Sequence, residues 1–133
     1  MKRFLLVAMT TALLVAISNA FAPDSHAQGS KAKETAVVEL TDKTQLLEAV
    51  LQGKYLFEHD DERMARGEPC LHVYNYANGK AGDLVIAFHC KPVERPKAKQ
   101  LILNVAMTRT PDLYQLTEIQ FAGTTKGHLV PGA

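Results

Sequence analysis

The chain contains no tryptophan and only two cysteines, Cys70 and Cys90. They do not form a Cys-x-x-Cys pair, which argues against thioredoxin-type redox chemistry. The His-Glu-x-x-His signature of a zinc hydrolase is missing as well. No glycine-rich loop follows a strand and opens a helix, so the usual phosphate and dinucleotide cradles are excluded. Beyond residue 27 the one serine is Ser30, within the polar stretch "QGSKAKE". That argues against a serine nucleophile. Neither sign of charge dominates: Lys and Arg number 15, Asp and Glu 14. Without a basic excess, neither nucleic acid nor an anionic membrane is an expected partner.

What is present begins with Met1-Lys2-Arg3 and an apolar run from Phe4 to Ile17, broken only by Thr10 and Thr11. Two positive charges before a short apolar segment have the pattern of a secretory signal peptide. The run is shorter than the roughly 20 residues a membrane span requires. Ser18-Asn19-Ala20 and Ser25-His26-Ala27 both offer small residues at the two positions a signal peptidase reads. No cysteine follows the run to carry a lipid. The expectation is an exported protein, periplasmic or secreted, with no stable membrane anchor after cleavage. The expected organisation is a signal peptide over 1–27, a flexible leader over 28–35, one domain over 36–123 and a flexible polar tail over 124–133. Removing Lys2, Arg3 and Asp24 leaves 13 residues of each sign, a mature charge near zero.

Within the domain, "AVVEL" is β-prone. Thr41 or Asp42 can cap a helix over "KTQLLEAVLQ", whose Leu46, Leu47, Val50 and Leu51 share one helical face before Gly53. "KYLFEH" returns to strand character. "DDERMARG", acids first and arginines last, fits one or two helical turns aligned with the helix dipole. "KPVERPKAK" reads as a connection because Pro92 and Pro96 interrupt a ladder. "QLILNVAMT" and "LYQLTEIQFAG" are strands. The fold class expected is therefore α+β: a mainly antiparallel sheet of five to six strands with one amphipathic helix near the N-terminus.

"EPCLHVYNYANGKAGDLVIAFHC", residues 68–90, carries both cysteines and two of the five histidines. Residues opposite one another in an antiparallel pair have a constant sum of numbers. A sum of 160 sets Cys70 against Cys90 and His72 against Phe88, with a loop of three to five residues around "NGKAG". Such a pair is near enough for a disulfide. A sum of 157 uses Asn78-Gly79 as a two-residue turn. It gathers Leu71, Val73, Leu84, Ile86 and Phe88 on one face and Cys70, His72, Tyr74, Val85, Ala87 and His89 on the other. Cys90 then points away from Cys70, and a bridge requires a bulge or an irregular strand end.

An even cysteine count in an exported chain favours the Cys70–Cys90 disulfide. The competing reading is a copper or zinc site formed by His59, Cys70, His72 and His89, with Cys90 or Met64 as soft supplements. Cys-x-His puts two donors on one strand face, which is the spacing such a site needs.

The stretch "GKYLFEHDDERMARGEPC", followed by "FHC", resembles a family of small exported bacterial proteins of uncharacterised function. The resemblance implies no activity. It does imply that the acidic-basic loop and the "HC" end form one unit, with Glu58 to Glu62 facing Lys91, Arg95, Lys97 and Lys99. The function expected is non-catalytic: a binding or scaffold domain pinned by Cys70 and Cys90, for a protein or small-ligand partner. Its candidate surface is His59, Asp60, Asp61, His72 and His89, with no cofactor unless the metal reading holds.

Overall fold

The structure is a computed structural model that describes residues 33–133. The signal peptide expected over 1–27 and the leader up to residue 32 lie outside the described residues. Eight strands form one curled, half-barrel sheet: β1 (Lys33–Leu46), β2 (Ala49–Asp60), β3 (Leu71–Ala77), β4 (Lys80–Phe88), β5 (Lys91–Glu94), β6 (Ile102–Met107), β7 (Leu113–Gln120) and β8 (Lys126–Leu129). The only helix among the described residues is the five-residue α1 (Asp61–Ala65). The sheet runs β4-β3-β2-β1-β7-β8-β5, and β6 pairs with β7. All pairings are antiparallel except β1 with β7. Over the described residues the fold is thus mostly β rather than α+β, with eight strands in place of five or six.

The amphipathic helix expected over "KTQLLEAVLQ" does not form. Its first half completes β1, Leu47 and Glu48 make a two-residue turn, and its second half begins β2. Thr44 pairs with Leu51 and Leu46 with Ala49, so Leu46 and Leu51 reach the core while Val50 is left exposed. Leu47 adopts a left-handed backbone (φ 53°), which is uncommon for leucine. Strand pairing outweighs that local penalty, because β1 is hydrogen-bonded to β2 along one edge and to Leu113–Gln115 of β7 along the other.

The 68–90 hairpin follows the 157 register at its tip, and the 160 register does not form. Asn78 (φ 53°) and Gly79 (φ 72°) form the tight turn, and Tyr76↔Ala81 and Ala77↔Lys80 keep the sum of 157. Two irregularities around Tyr74 then shift the base to 159, with Leu71 opposite Phe88 and Val73 opposite Ile86. The apolar face of Leu71, Val73, Ile86 and Phe88 is buried, but the bulged Leu84 is turned out.

Two segments expected to be irregular are strands. β5 lies within "KPVERPKAK", where Pro92 is tolerated because the strand is at the sheet edge. β8 lies within the stretch expected as a tail, and Val130 just beyond it is buried in the core. Lys33–Thr35, assigned to the leader, already belong to β1. The core gathers Leu46, Leu51, Phe57, Leu71, Val73, Leu116, Ile119 and Phe121 on the concave face.

β8 also explains a glycine. A side chain at Gly127 would run into the Glu118 carboxylate and lie 3.2 Å from Arg95 Cγ. Glu118 takes two hydrogen bonds from Arg95, Nε to Oε1 at 2.8 Å and Nη2 to Oε2 at 3.0 Å. A mid-strand glycine normally weakens a sheet, so alanine there would ordinarily help. Here Gly127→Ala is expected to destabilise by about 1–3 kcal/mol through overpacking. Thermal unfolding checks the sign, and removing the obstructing carboxylate in Gly127→Ala/Glu118→Ala should recover part of the loss.

Candidate functional site

At the end of β2, alternation places Phe57 and His59 on the concave face and Glu58 on the other. Asp60 then leaves the strand and caps α1, its Oδ1 accepting from the backbone N–H of Glu62 (2.9 Å) and Arg63 (3.3 Å). Asp60 N–H donates to the Cys70 carbonyl at 2.9 Å, which draws the start of β3 against the end of β2. Cys90 lies in the short link between β4 and β5, directly before Lys91, and its N–H lies 3.3 Å from Cys70 Sγ. The two cysteines approach to 2.5 Å. The bulges in the hairpin make this approach compatible with the Asn78-Gly79 turn.

Two further side chains complete the centre. His128 arrives on β8, and its ring lies 3.9 Å from that of His59, centroid to centroid, at a 32° tilt. Phe121 covers both rings, at 6.4 Å from His59 and 6.0 Å from His128. Glu34 arrives on β1, with Oε2 3.5 Å from His59 Nδ1 and 3.6 Å from His128 Nε2. Asp61 Oδ1 lies 3.8 Å from His59 Nδ1. Cys90 Sγ is 3.6 Å from His128 Nδ1. Both imidazole side chains are only 2% exposed. His59 Nε2 and His128 Nε2 are buried without a hydrogen-bond partner.

The electrostatics follow from these neighbours. Burial alone would raise the Glu34 carboxyl, but the imidazoles of His128 and His59 outweigh it and hold it down at about 2. Burial works to lower His59, yet the Cys70 sulfur and the Glu34 and Asp61 carboxylates raise it to about 9. In the dithiol form, Cys90 and then His59 stabilise a Cys70 thiolate, against burial, and bring that thiol to about 4. The same neighbouring thiolate, together with burial, pushes the Cys90 thiol up. A thiolate beside an imidazolium has the character of a nucleophile. However, Cys70 and His59 are each 1% exposed. In this conformation neither group meets bulk solvent.

The candidate residues named from sequence separate into two groups. His59, Cys70 and Cys90 come together, with Asp61 at their margin; Asp60 serves α1. His72 lies on the opposite face of the sheet from Leu71 and Val73, opposite Glu58, and stacks on Tyr74 at 6.1 Å. Its pKa is lowered by burial and by Arg63. His89 is exposed. The expected metal set of His59, Cys70, His72 and His89 is therefore replaced by two groups that share His59: His59 with Cys70 and Cys90, and Glu34 with His59 and His128. The expected facing of Glu58–Glu62 and the Lys91–Lys99 bases is also replaced. Glu58 pairs with Lys33 and Arg63, each at 3.2 Å, and Arg95 pairs with Glu118.

Glu34 and His128 were missed because they lie in segments read as leader and tail. Alternation was the available signal. Glu34 shares its parity with Ala36, Val38 and Leu40, and His128 shares its parity with Val130. No protein-family model matches the chain, nor does any curated protein or solved structure.

Proposed function

We propose that the chain is an exported, non-catalytic binding domain whose hairpin base is braced by a Cys70–Cys90 disulfide. The observation that carries this reading is the 2.5 Å approach of the two cysteines at the root of β3 and β4, beside a pair of buried imidazoles. The N-terminal sequence pattern supports export, and an oxidising compartment favours the bridge over two free thiols. Closing a loop of about 20 residues stabilises a fold by about 3 kcal/mol on the chain-entropy model.

A second reading has copper or zinc held by the sulfurs, since donor atoms of His59, Cys70 and Cys90 lie within 4.8 Å of one another. Two thiolates on one tetrahedral ion stand about 3.8 Å apart, given bonds of about 2.3 Å. Cys70 and Cys90 would have to separate to bind that way, so the bridge is preferred.

Intact mass of the exported protein, with alkylation before and after reduction, tests the proposal. The expected result is a mass two hydrogens short and no alkylation until reductant is added. Reduction should then lower the melting temperature by at least about 10 °C, from roughly 4–8 °C per kcal/mol for a domain of this size. Two thiols that alkylate without reductant would overturn the bridge.

A further inference from the structure

We infer that Glu34, His59 and His128 form a site for a divalent transition-metal ion, zinc(II) or copper(II), that does not depend on the state of the sulfurs. This gives the proposed binding domain its ligand class, and it stands whether or not Cys70 and Cys90 are joined.

Three strands distant in sequence each supply one donor: β1 gives a carboxylate, and β2 and β8 each give an imidazole. Donor atoms of the three lie within 4.8 Å of one another. The carboxylate oxygen Glu34 Oε2 is almost equidistant from one nitrogen of each ring, at 3.5 and 3.6 Å. Hydrogen bonds from imidazole to carboxylate normally fall near 2.7–3.2 Å, so these contacts are long. They are close to the edge of a coordination tetrahedron, about 3.3–3.4 Å for metal–nitrogen and metal–oxygen bonds of about 2.0–2.1 Å.

The second observation is what that long contact leaves behind. His128 Nε2, the nitrogen facing Glu34, is buried and has no hydrogen-bond partner, on a side chain 2% exposed. Buried polar nitrogens are almost always satisfied, and a metal ion would satisfy this one. The far nitrogen of the same ring lies against Cys90 Sγ at 3.6 Å, which orients the imidazole as outer contacts commonly orient metal-binding histidines.

The donor chemistry sets the class of ion. Two imidazoles and one carboxylate suit zinc or copper, whereas calcium and magnesium take all-oxygen shells. Three protein donors leave a fourth position for water or for Asp61 Oδ1, which lies 3.8 Å from His59 Nδ1. Glu34 and Asp61 are also the route in: their side chains are 15% and 37% exposed, against 2% for the histidines.

The test is a titration of the purified, chelator-treated protein with zinc(II) and copper(II) against a competing chromophoric chelator, with and without reductant. One ion per chain is expected in both conditions. Glu34→Gln and His128→Gln, which keep side-chain size, should each weaken uptake at least tenfold, while His72→Ala and His89→Ala should leave it unchanged. Thermal unfolding of each variant confirms that it is folded. Cobalt(II) loading provides a second readout: a nitrogen–oxygen site gives ligand-field bands without the intense sulfur-to-cobalt absorption of a thiolate site. Stoichiometric uptake untouched by Glu34→Gln and His128→Gln, no uptake at all, or a sulfur-to-cobalt band would overturn the assignment. The thiol count by alkylation is separate, so failure of the bridge and failure of the metal site give different results.

Discussion

Ending the chain at Gly123 is expected to abolish cooperative folding. The segment removed includes β8, which pairs with β7 through Gln120↔Gly127, Ile119↔His128 and Glu118↔Leu129, and with β5 through all four of its residues. β5 has no other partner in the sheet, so it would be released as well. Val130 would leave the core, along with its N–H donation to the Thr117 carbonyl. Gln120, which is buried, would lose the Thr124 carbonyl as an acceptor. Burying one valine contributes about 1.5–3 kcal/mol, and each ladder hydrogen bond about 0.5–1.5 kcal/mol net. Together these are comparable with the whole net stability of a small domain, about 5–15 kcal/mol. Far-UV circular dichroism and a thermal melt check this, with a variant ending at Pro131 as control, since Gly132 and Ala133 are exposed. A chain ending at Gly123 that melts like the control would restore the tail reading and remove His128 from the centre.

That experiment bears on the largest gap between sequence and structure. Signals confined to a few residues were legible: Asn78-Gly79 as a hairpin turn, acids-then-arginines as a short helix, and the apolar parity of Leu71, Val73, Ile86 and Phe88. The segment around Leu46 was misread because four apolar residues in six positions fit a helical face as well as a tight hairpin. Only the neighbours β7 and β2 decide between them, and neither is visible in a local window. Gly53, read as a helix stop, has φ 109° within β2 opposite Leu40, where the β1–β2 ladder becomes irregular.

The site was half legible for the same reason. Cys70, Cys90 and His59 lie close in sequence to one hairpin, so composition and spacing bring them together. Glu34 and His128 sit at opposite ends of the described chain and meet only because the sheet curls. The sequence offered a choice between tight turn and cysteine contact because each register assumed a regular ladder; the observed base, with a pair sum of 159, follows neither. The bulges at Tyr74 let the tight turn and the cysteine contact coexist.

Replacing Phe57 with alanine is expected to destabilise the protein by about 3–5 kcal/mol, the range for a buried aromatic lost from a core. Phe57 is fully buried near the end of β2, opposite Ala36 of β1 and Val73 of β3. Neither small Ala36 nor β-branched Val73 can fill the space its ring would leave, because both are held by ladder bonds. The melting temperature should fall by more than about 10 °C. Phe57→Leu, which retains most of the volume, should cost much less. His59 lies two residues further along the same face, but its backbone is held independently by pairing with Glu34 and Leu71. Metal stoichiometry, read well below the lowered melting temperature, should therefore stay at one per chain even as stability drops. A fall of only a degree or two would mean that Phe57 is not central to the core, and the packing that brings β1, β2 and β8 together would need another anchor.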